Sequence, residues 1–239
     1  MKEIKTIVLI HGWACDESIW QETKRYLDPK CRLYTINLSI MKTMHSYREA
    51  VIELIEQKGL DHVVLVGWSM GSLVAIQVAS YLPHIVEGLI LVSATSKFTS
   101  GIPPIVVTKM KKRLSKNPEK TVHDFYKLMF SSKEQALGLD DKIIDNYLSR
   151  RGIGDLQEDQ FGLDFLLDVD VQEYLQHITC PALLLHGEED SICPLEGAKF
   201  IERQLPCAQL VSYPGVGHIP FLTEFRKFHQ GIEEWLAVL

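Results

Sequence analysis

The sequence is poor in the features that mark disulfide-stapled, metal-binding and membrane-spanning proteins. Its five cysteines are scattered over 239 residues without a CxxC pair. This spacing indicates reduced thiols rather than a disulfide framework or a zinc site. The apolar stretches fall well short of the roughly 20 residues that a membrane helix needs. No small-residue cleavage site follows the short apolar stretch near the N-terminus, so we expect a cytoplasmic protein with no membrane partner. We also expect it to be a monomer.

The sequence also lacks an excess of positive charge, since 25 Lys and Arg residues against 31 Asp and Glu residues give a formal net charge of −6 at pH 7. Such a balance gives no bulk attraction to nucleic acid. The charge is unevenly distributed along the sequence. Residues 97–133 contain nine Lys and Arg residues but only two acidic residues, Glu119 and Asp124, which gives this segment a net charge of +7. Neither a metal-ligand cluster nor a dinucleotide-binding motif occurs in the sequence. We therefore expect no cofactor and no metal.

The sequence does contain an alternation of short apolar runs with longer segments of helical period. Six runs rich in Val, Ile and Leu are typical of buried parallel strands: Ile4–Ile10, Arg32–Ile36, His62–Val66, Val86–Val92, Ala182–Leu185 and Leu210–Tyr213. Four segments have helical period: Ser46–Lys58, Met70–Leu82, Leu195–Leu205 and Glu224–Leu239. This order predicts an α/β protein with a mostly parallel, doubly wound sheet.

One region, residues 97–178, breaks this alternation. It contains no convincing strand, and its apolar residues recur at helical spacing, as in Val122, Phe125, Tyr126 and Met129. We interpret it as an all-helical insertion between two strands. The predicted organisation is a core of residues 1–96 and 179–239 with a helical lid of residues 97–178.

A single serine lies between two glycines where a strand is predicted to end and a helix to begin. The stretch Gly67-Trp68-Ser69-Met70-Gly71 satisfies G-x-S-x-G in the strand–turn–helix context that raises a nucleophilic serine above a sheet. The alternative is that Ser69 caps the following helix and that the glycines serve only the turn. A catalytic serine needs a base and an orienting carboxylate, so the partners decide between these interpretations.

Two later strand ends supply candidate partners. His218 follows Gly215-Val216-Gly217 directly after the last predicted strand, where open α/β sheets build their sites; a surface-loop histidine is the alternative. Asp190 lies three residues past the glycine that ends the preceding strand, with Glu189 as the reserve choice. The chain order Ser69, Asp190, His218 is the Ser–Asp–His order of one hydrolase fold.

An oxyanion site would complete this set. His11-Gly12-Trp13 follows the first strong strand, and in this geometry the backbone amides of Trp13 and Met70 converge on a developing oxyanion. We assign His11 to loop structure through hydrogen bonds of its ring, not to chemistry.

These residues resemble the α/β-hydrolase superfamily, and the chain is similar to its carboxylesterases of biotin synthesis, which cleave pimeloyl-[acyl-carrier protein] methyl ester. The matching stretches are LIHGWACDESIW, LVGWSMGSLVA, TVHDFYKLM, GLDFLLDVDVQEYLQHITCPALLLHGEED and GVGHIPF. The resemblance implies an α/β-hydrolase fold, the Ser69–Asp190–His218 triad and the Trp13 and Met70 oxyanion amides.

The resemblance also implies how substrate is held. The lid would enclose the acyl chain, with Trp13, Phe125, Leu128 and Met129 lining its channel, although the lid residues can equally be plain lid core. It would dock the acyl-carrier protein through basic residues, which the local positive charge fits; lysines that merely keep the lid soluble are the alternative. The docking candidates are Lys109, Lys111, Lys112, Arg113, Lys116 and Lys120.

The sequence departs from the family at several positions. Ser72 replaces a common second glycine, and Asp124 stands where the biotin enzymes have a basic residue. The loop NLSIMKTMHSY lacks the D-x-P-G-x-G-x-S pattern, which predicts a different pocket wall. Alternative functions with the same triad are a thioesterase, a generic short-chain esterase or a menaquinone-pathway hydrolase. A non-catalytic ligand-binding protein is the alternative from another class.

Overall fold

The computed structural model describes residues 4–28, 30–38, 46–148 and 156–239. Most of the unusual NLSIMKTMHSY loop, residues 39–45, lies outside the described residues. None of the described helices is both long and apolar enough to cross a membrane.

The described residues form one six-stranded parallel sheet, which confirms the predicted α/β class. All six predicted runs are strands: β1 (Thr6–Ile10), β2 (Arg32–Ile36), β3 (Val63–Trp68), β4 (Val86–Val92), β5 (Ala182–Gly187) and β6 (Ala208–Tyr213). Their spatial order is β2-β1-β3-β4-β5-β6, and every pairing is parallel. Every residue of β3 and β5 is buried, which requires cover on both faces of the sheet.

The sheet order places the candidate site. From β1 the chain runs outward to β2 and then returns to β3 on the other side of β1. Such a reversal leaves a crevice beyond the carboxyl ends of the two inner strands, where open α/β sheets bind ligands. The carboxyl end of β1 leads into His11-Gly12-Trp13, and that of β3 leads into Ser69. The fold therefore brings these two predicted loops together.

The helices follow the predicted alternation. They are α1 (Gln21–Leu27), α2 (Tyr47–Lys58), α3 (Met70–Tyr81), α4 (Phe98–Gly101), α5 (Pro104–Lys116), α6 (Pro118–Leu128), α7 (Ser132–Ala136), α8 (Leu139–Ile143), α9 (Leu156–Asp168), α10 (Leu195–Gln204), α11 (Pro220–Thr223) and α12 (Phe225–Leu236). Short 3₁₀ turns span Glu17–Trp20 and Leu175–His177, and a π-helical turn spans Ile144–Leu148. Helices α4–α9 lie between β4 and β5, and the described part of residues 97–178, called the helical insertion below, contains no strand.

A buried aromatic cluster lies beneath the end of β3. Trp20, Trp68 and Phe221 are almost completely buried. The ring of Phe221 lies 4.7 Å from that of Trp20 and 5.1 Å from that of Trp68, measured between centroids. Aromatic rings at such separations contribute favourable contacts beyond the area they bury. This cluster gives the strand end that precedes Ser69 a rigid base.

Candidate active site

Ser69 occupies the strained turn that the motif predicts. Its backbone angles are φ 55° and ψ −118°, which a residue with a side chain rarely adopts. A Cβ on Gly67 would lie 2.4 Å from the carbonyl oxygen of Gly71, and one on Gly71 would lie 2.4 Å from that of Ile10. The turn can therefore close only with glycine at both places. Ser69 precedes α3, but its side chain makes no capping hydrogen bond, so the helix-cap interpretation is wrong.

Ser72 supports this turn. Its hydroxyl donates a hydrogen bond of 2.6 Å to the carbonyl oxygen of Ser69, and the residue is completely buried. The side chain that replaces a common glycine therefore satisfies a buried carbonyl group at the turn.

His218 and Asp190 form a buried pair. The Nδ1 atom of His218 lies 2.7 Å from Oδ2 of Asp190, and both side chains are completely inaccessible to solvent. Because the carboxylate only accepts, Nδ1 carries the proton in the neutral ring and Nε2 is left basic. Nε2 of His218 is buried and has no hydrogen-bond partner in the described part of the chain. This nitrogen is thus the one available to take a proton.

The Asp190 carboxylate is fixed by further donors. Its Oδ1 accepts hydrogen bonds of 2.9 Å from the amides of Ile192 and Cys193. Burial alone would raise the pKa of Asp190, but the charge and hydrogen bond of His218, with smaller contributions from His186 and the Cys193 amide, hold it below its usual value. Asp190 is therefore ionised at neutral pH. The reserve choice, Glu189, is exposed and is not the partner of His218.

His186 is a second buried histidine beside the same carboxylate. Its Nε2 lies 2.7 Å from the carbonyl oxygen of Cys193 and 3.5 Å from Oδ2 of Asp190. Burial lowers the pKa of His186, against the opposing charge of Asp190, so the ring is neutral and donates from Nε2. Burial, and then the charge of Asp190, raises the pKa of the Cys193 thiol well above its usual value, which leaves that thiol without nucleophilic character.

The backbone of His218 is also held from several directions. Its carbonyl oxygen accepts hydrogen bonds of 2.9 Å from Nε1 of Trp68 and from the hydroxyl of Ser93. Its amide donates to the carbonyl oxygen of Met129 in the helical insertion, at 2.7 Å. Sequence reasoning missed Ser93, although its place directly after β4, with a positive φ of 48°, is typical of the strand ends that build such sites.

The predicted oxyanion loop lies directly against Ser69. A Cβ on Gly12 would be 3.2 Å from Cβ of Ser69, so the backbone approaches the serine closely. Met70 is the first residue of α3, and an amide there has no acceptor within its own helix. The backbone hydrogen bonds of the described loops include none from the amide of Trp13. His11 accepts from the amide of Leu38 and donates to the carbonyl oxygen of Gly12, so it organises the loop as expected.

The structure brings together only some of the predicted channel residues. Trp13 and Phe125 are buried, and their rings meet edge to face with centroids 4.8 Å apart. Nε1 of Trp13 donates to the carbonyl oxygen of Asp159, at 2.8 Å. Met129 is buried as well, whereas Leu128 is 56% exposed and does not join the buried cluster. Leu128 is the last residue of α6, and its side chain stays exposed at that end of the helix although Phe125 lies only three residues before it.

The predicted docking cations fall into two groups. Lys111 pairs with Asp164 of α9, and Arg113 and Lys120 both pair with Asp124. Their charges are therefore partly neutralised, and Asp164 lies beyond the segment that gave a balance of +7. Lys109, Lys112 and Lys116 are exposed, and within the described residues they pair with no carboxylate. Their spacing along α5 puts these three on one face. Among the described residues, no group of three or more potential ligands is placed to hold a metal.

Comparison with known proteins adds evidence independent of this geometry. The family described as alpha/beta hydrolase fold matches residues 5–225 of the chain. A pimeloyl-[acyl-carrier protein] methyl ester esterase of Vibrio vulnificus (strain YJ016) is 31% identical over 234 residues, which cover 94% of this chain and 91% of the relative. The protein of the same name from Vibrio cholerae serotype O1 is 29% identical, covering 96% and 93%.

Solved structures show the same fold at lower identity. An esterase from Exiguobacterium antarcticum superimposes with a TM-score of 0.84 at 21% identity, over 99% of this chain and 93% of its own. A bromoperoxidase from Bacillus anthracis gives a TM-score of 0.87 at 19% identity, over 98% and 92%.

Proposed function

The chain belongs to the α/β-hydrolase family, and we propose that it is a serine carboxylesterase that cleaves the methyl ester of pimeloyl-[acyl-carrier protein] in biotin synthesis. The observation that carries this proposal is the buried His218–Asp190 pair with an unpartnered Nε2, in a fold that sets Ser69 in a strained turn. The named relatives, which cover nearly the whole chain, support the substrate.

The residues have distinct roles in the proposed reaction. Nε2 of His218 takes the proton of the Ser69 hydroxyl as its oxygen attacks the ester carbonyl, and Asp190 stabilises the imidazolium that forms. The amides of Trp13 and Met70 donate to the negative oxygen of the tetrahedral intermediate. His218 then returns the proton to the leaving methoxy group, and methanol departs. Water, activated by the same nitrogen, releases the acid from the acyl-enzyme and restores Ser69.

We also propose that residues 97–178 form the lid over this site, with residues 1–96 and 179–239 as the core. Phe125 supports this division, because it belongs to the insertion and packs on Trp13 of the oxyanion loop. In this arrangement Trp13, Phe125 and Met129 contact the acyl chain. The exposed Leu128 lies at the rim.

The test of the proposal is direct hydrolysis of the carrier-bound ester. Purified protein is incubated with pimeloyl-[acyl-carrier protein] methyl ester, and the mass of the carrier is followed. Loss of the mass of one methylene group, at a rate proportional to enzyme, is the expected result. An unchanged carrier, with nitrophenyl esters still cleaved, would refute the substrate and retain the serine esterase. Failure of a fluorophosphonate probe to label Ser69 would refute the mechanism as well.

Docking of the carrier makes a separate prediction. Reversing the charge at Lys109, Lys112 and Lys116 together should raise KM for the carrier-bound ester by about tenfold, because charge complementarity speeds encounter with an acidic partner. Hydrolysis of a small methyl ester should not change. Steady-state kinetics on both substrates measure the difference.

A matched control changes the same amount of charge elsewhere. Lys58, Lys199 and Lys227 lie outside the helical insertion, and their reversal to Glu should leave KM for the carrier-bound ester within about twofold of wild type. Equal effects from the two triple variants would mean that net charge, rather than the α5 face, governs the encounter.

A further inference from the structure

A buried capping box joins the helical insertion to the loop that carries His218. At the start of α7 the hydroxyl of Ser131 accepts from the amide of Glu134, and Oε2 of Glu134 accepts from the amide of Ser131. Such reciprocal bonds normally serve only to satisfy the free amides of a helix start. Here both side chains make a second bond, to the loop of residues 215–218. The hydroxyl of Ser131 donates to the carbonyl oxygen of Gly215, and Oε2 of Glu134 accepts from the amide of Gly217, at 2.8 and 3.0 Å.

Burial shows that this arrangement is more than a helix cap. Glu134 is 3% exposed and Ser131 is 4% exposed. Burying a carboxylate costs free energy unless donors satisfy it. Two backbone amides donate to Oε2 here, whereas Oε1 is buried without a hydrogen-bond partner among the described residues. Gly217 has no room for a side chain, because a Cβ would lie 2.3 Å from the carbonyl oxygen of Met129 and 3.0 Å from Oε2 of Glu134. The insertion and the loop are thus in direct backbone contact.

The same segment of the insertion reaches both loops of the triad. The amide of His218 donates to Met129, as described above, and the hydroxyl of Ser191 donates to the carbonyl oxygen of Leu128, at 3.0 Å. Ser191 is the neighbour of Asp190. Residues 128–134 are therefore bonded to the loop of the base and to the loop of the acid.

We propose that Glu134 is a positioning residue of the esterase: its carboxylate holds the loop of residues 215–218 so that His218 faces Ser69. This inference rests on the proposed function, because it takes His218 as the general base. Glu134 touches no reacting atom, and it acts through the amide of Gly217. Small displacements of a catalytic group lower the rate steeply, so loosening this loop lowers kcat more than it weakens substrate binding.

Three substitutions, Glu134→Gln, Glu134→Asp and Glu134→Ala, separate the effect of side-chain length from the effect of side-chain charge at this position. Glu134→Gln keeps the length of the side chain and an acceptor oxygen but removes the charge. Glu134→Asp keeps the charge and the bond from its own backbone amide to the Ser131 hydroxyl, but its side chain is one methylene too short to reach the amides of both Ser131 and Gly217. We expect Glu134→Gln to retain kcat within about threefold. Glu134→Asp and Glu134→Ala should lower kcat by about 10- to 100-fold, with KM for a small ester changed less than threefold.

A matched control is Glu49, which holds the equivalent position three residues past the serine cap of α2. In the described structure α2 makes no hydrogen bond to the loops of Asp190 or His218. Glu49→Ala should therefore keep wild-type kcat, although it removes an acidic side chain from the same position in the first turn of a helix. The melting temperatures of all four variants report the purely structural cost.

Hydrogen exchange tests the connection without relying on turnover. In Glu134→Asp and Glu134→Ala the amides of residues 215–218 should exchange faster than in wild type, and in Glu134→Gln they should not. Faster exchange with unchanged kcat would overturn the positioning role. Unchanged exchange in all variants would overturn the connection itself. If wild type cleaves no ester but the exchange pattern is as expected, the proposed function fails and the connection stands.

Discussion

Replacing Ser69 by Ala should lower kcat for ester hydrolysis by about 10⁴- to 10⁶-fold, the scale on which a lone triad nucleophile acts. The reason is that the acyl-enzyme of the proposed reaction forms on the Ser69 hydroxyl. Cys193 lies beside the acid, since its amide donates to Asp190, but burial raises the pKa of its thiol and keeps it protonated. Single-turnover kinetics with a nitrophenyl ester measure the effect, because the burst of released alcohol should vanish together with steady turnover.

Ser69→Gly provides the control for misfolding. The φ of 55° and ψ of −118° at Ser69 strain any residue with a side chain, and glycine adopts such angles freely. The variant should therefore be inactive yet more stable, by about 1 kcal/mol in the free energy of unfolding. A stable variant that still cleaves esters at more than a thousandth of the wild-type rate would refute the role of Ser69.

Asp190→Asn should lower kcat at neutral pH by roughly 10⁴-fold while the fold is retained. The hydrogen bonds of the structure fix how the new amide would lie. Its oxygen must take the place of Oδ1, which accepts from the amides of Ile192 and Cys193. Its NH₂ group then faces His218 in place of Oδ2. Nδ1 of His218 is forced to accept, the ring proton moves to Nε2, and the base is lost.

Glu189→Gln is the matched control, since it makes the same change in an exposed neighbouring acid. It should retain wild-type kcat and KM. Measuring kcat of both amide variants between pH 6 and 9 tests this explanation. Because Asp190→Asn loses activity through the wrong tautomer of His218, its kcat should stay low throughout the neutral range. Equal activity of the two variants would exclude Asp190 as the orienting acid.

The sheet and the candidate triad were predictable because their signals are local. A parallel strand that is covered on both faces must be apolar along its length, and the ends of such strands mark the loops in which Ser69, Asp190 and His218 lie. The elements that hold these residues are not local. Ser93 bonds to a residue 125 positions away, and Glu134 to one 83 positions away. No periodicity in the sequence encodes such contacts.

The charge of the helical insertion shows the same limit. Counting residues between Lys97 and Lys133 gave a strongly positive segment, yet the partner of Lys111 is Asp164, 53 positions away. The effective charge of a surface depends on which helices pack side by side. The free cations of α5 could be identified only after that packing was known.

The insertion bonds to every loop that carries a proposed catalytic group except the serine turn itself. Asp159 binds Trp13, the hydroxyl of Tyr126 donates to the carbonyl oxygen of Ala14, and residues 128–134 bind the loops of the acid and the base. Such contacts limit which insertions the core can accept during evolution. An insertion acquired by recombination from a distant relative would lack the side chains that bond to these loops. We therefore expect chimeras with junctions near residues 97 and 178 to fold but lose activity, and to regain it when the recipient loops are exchanged together with the insertion.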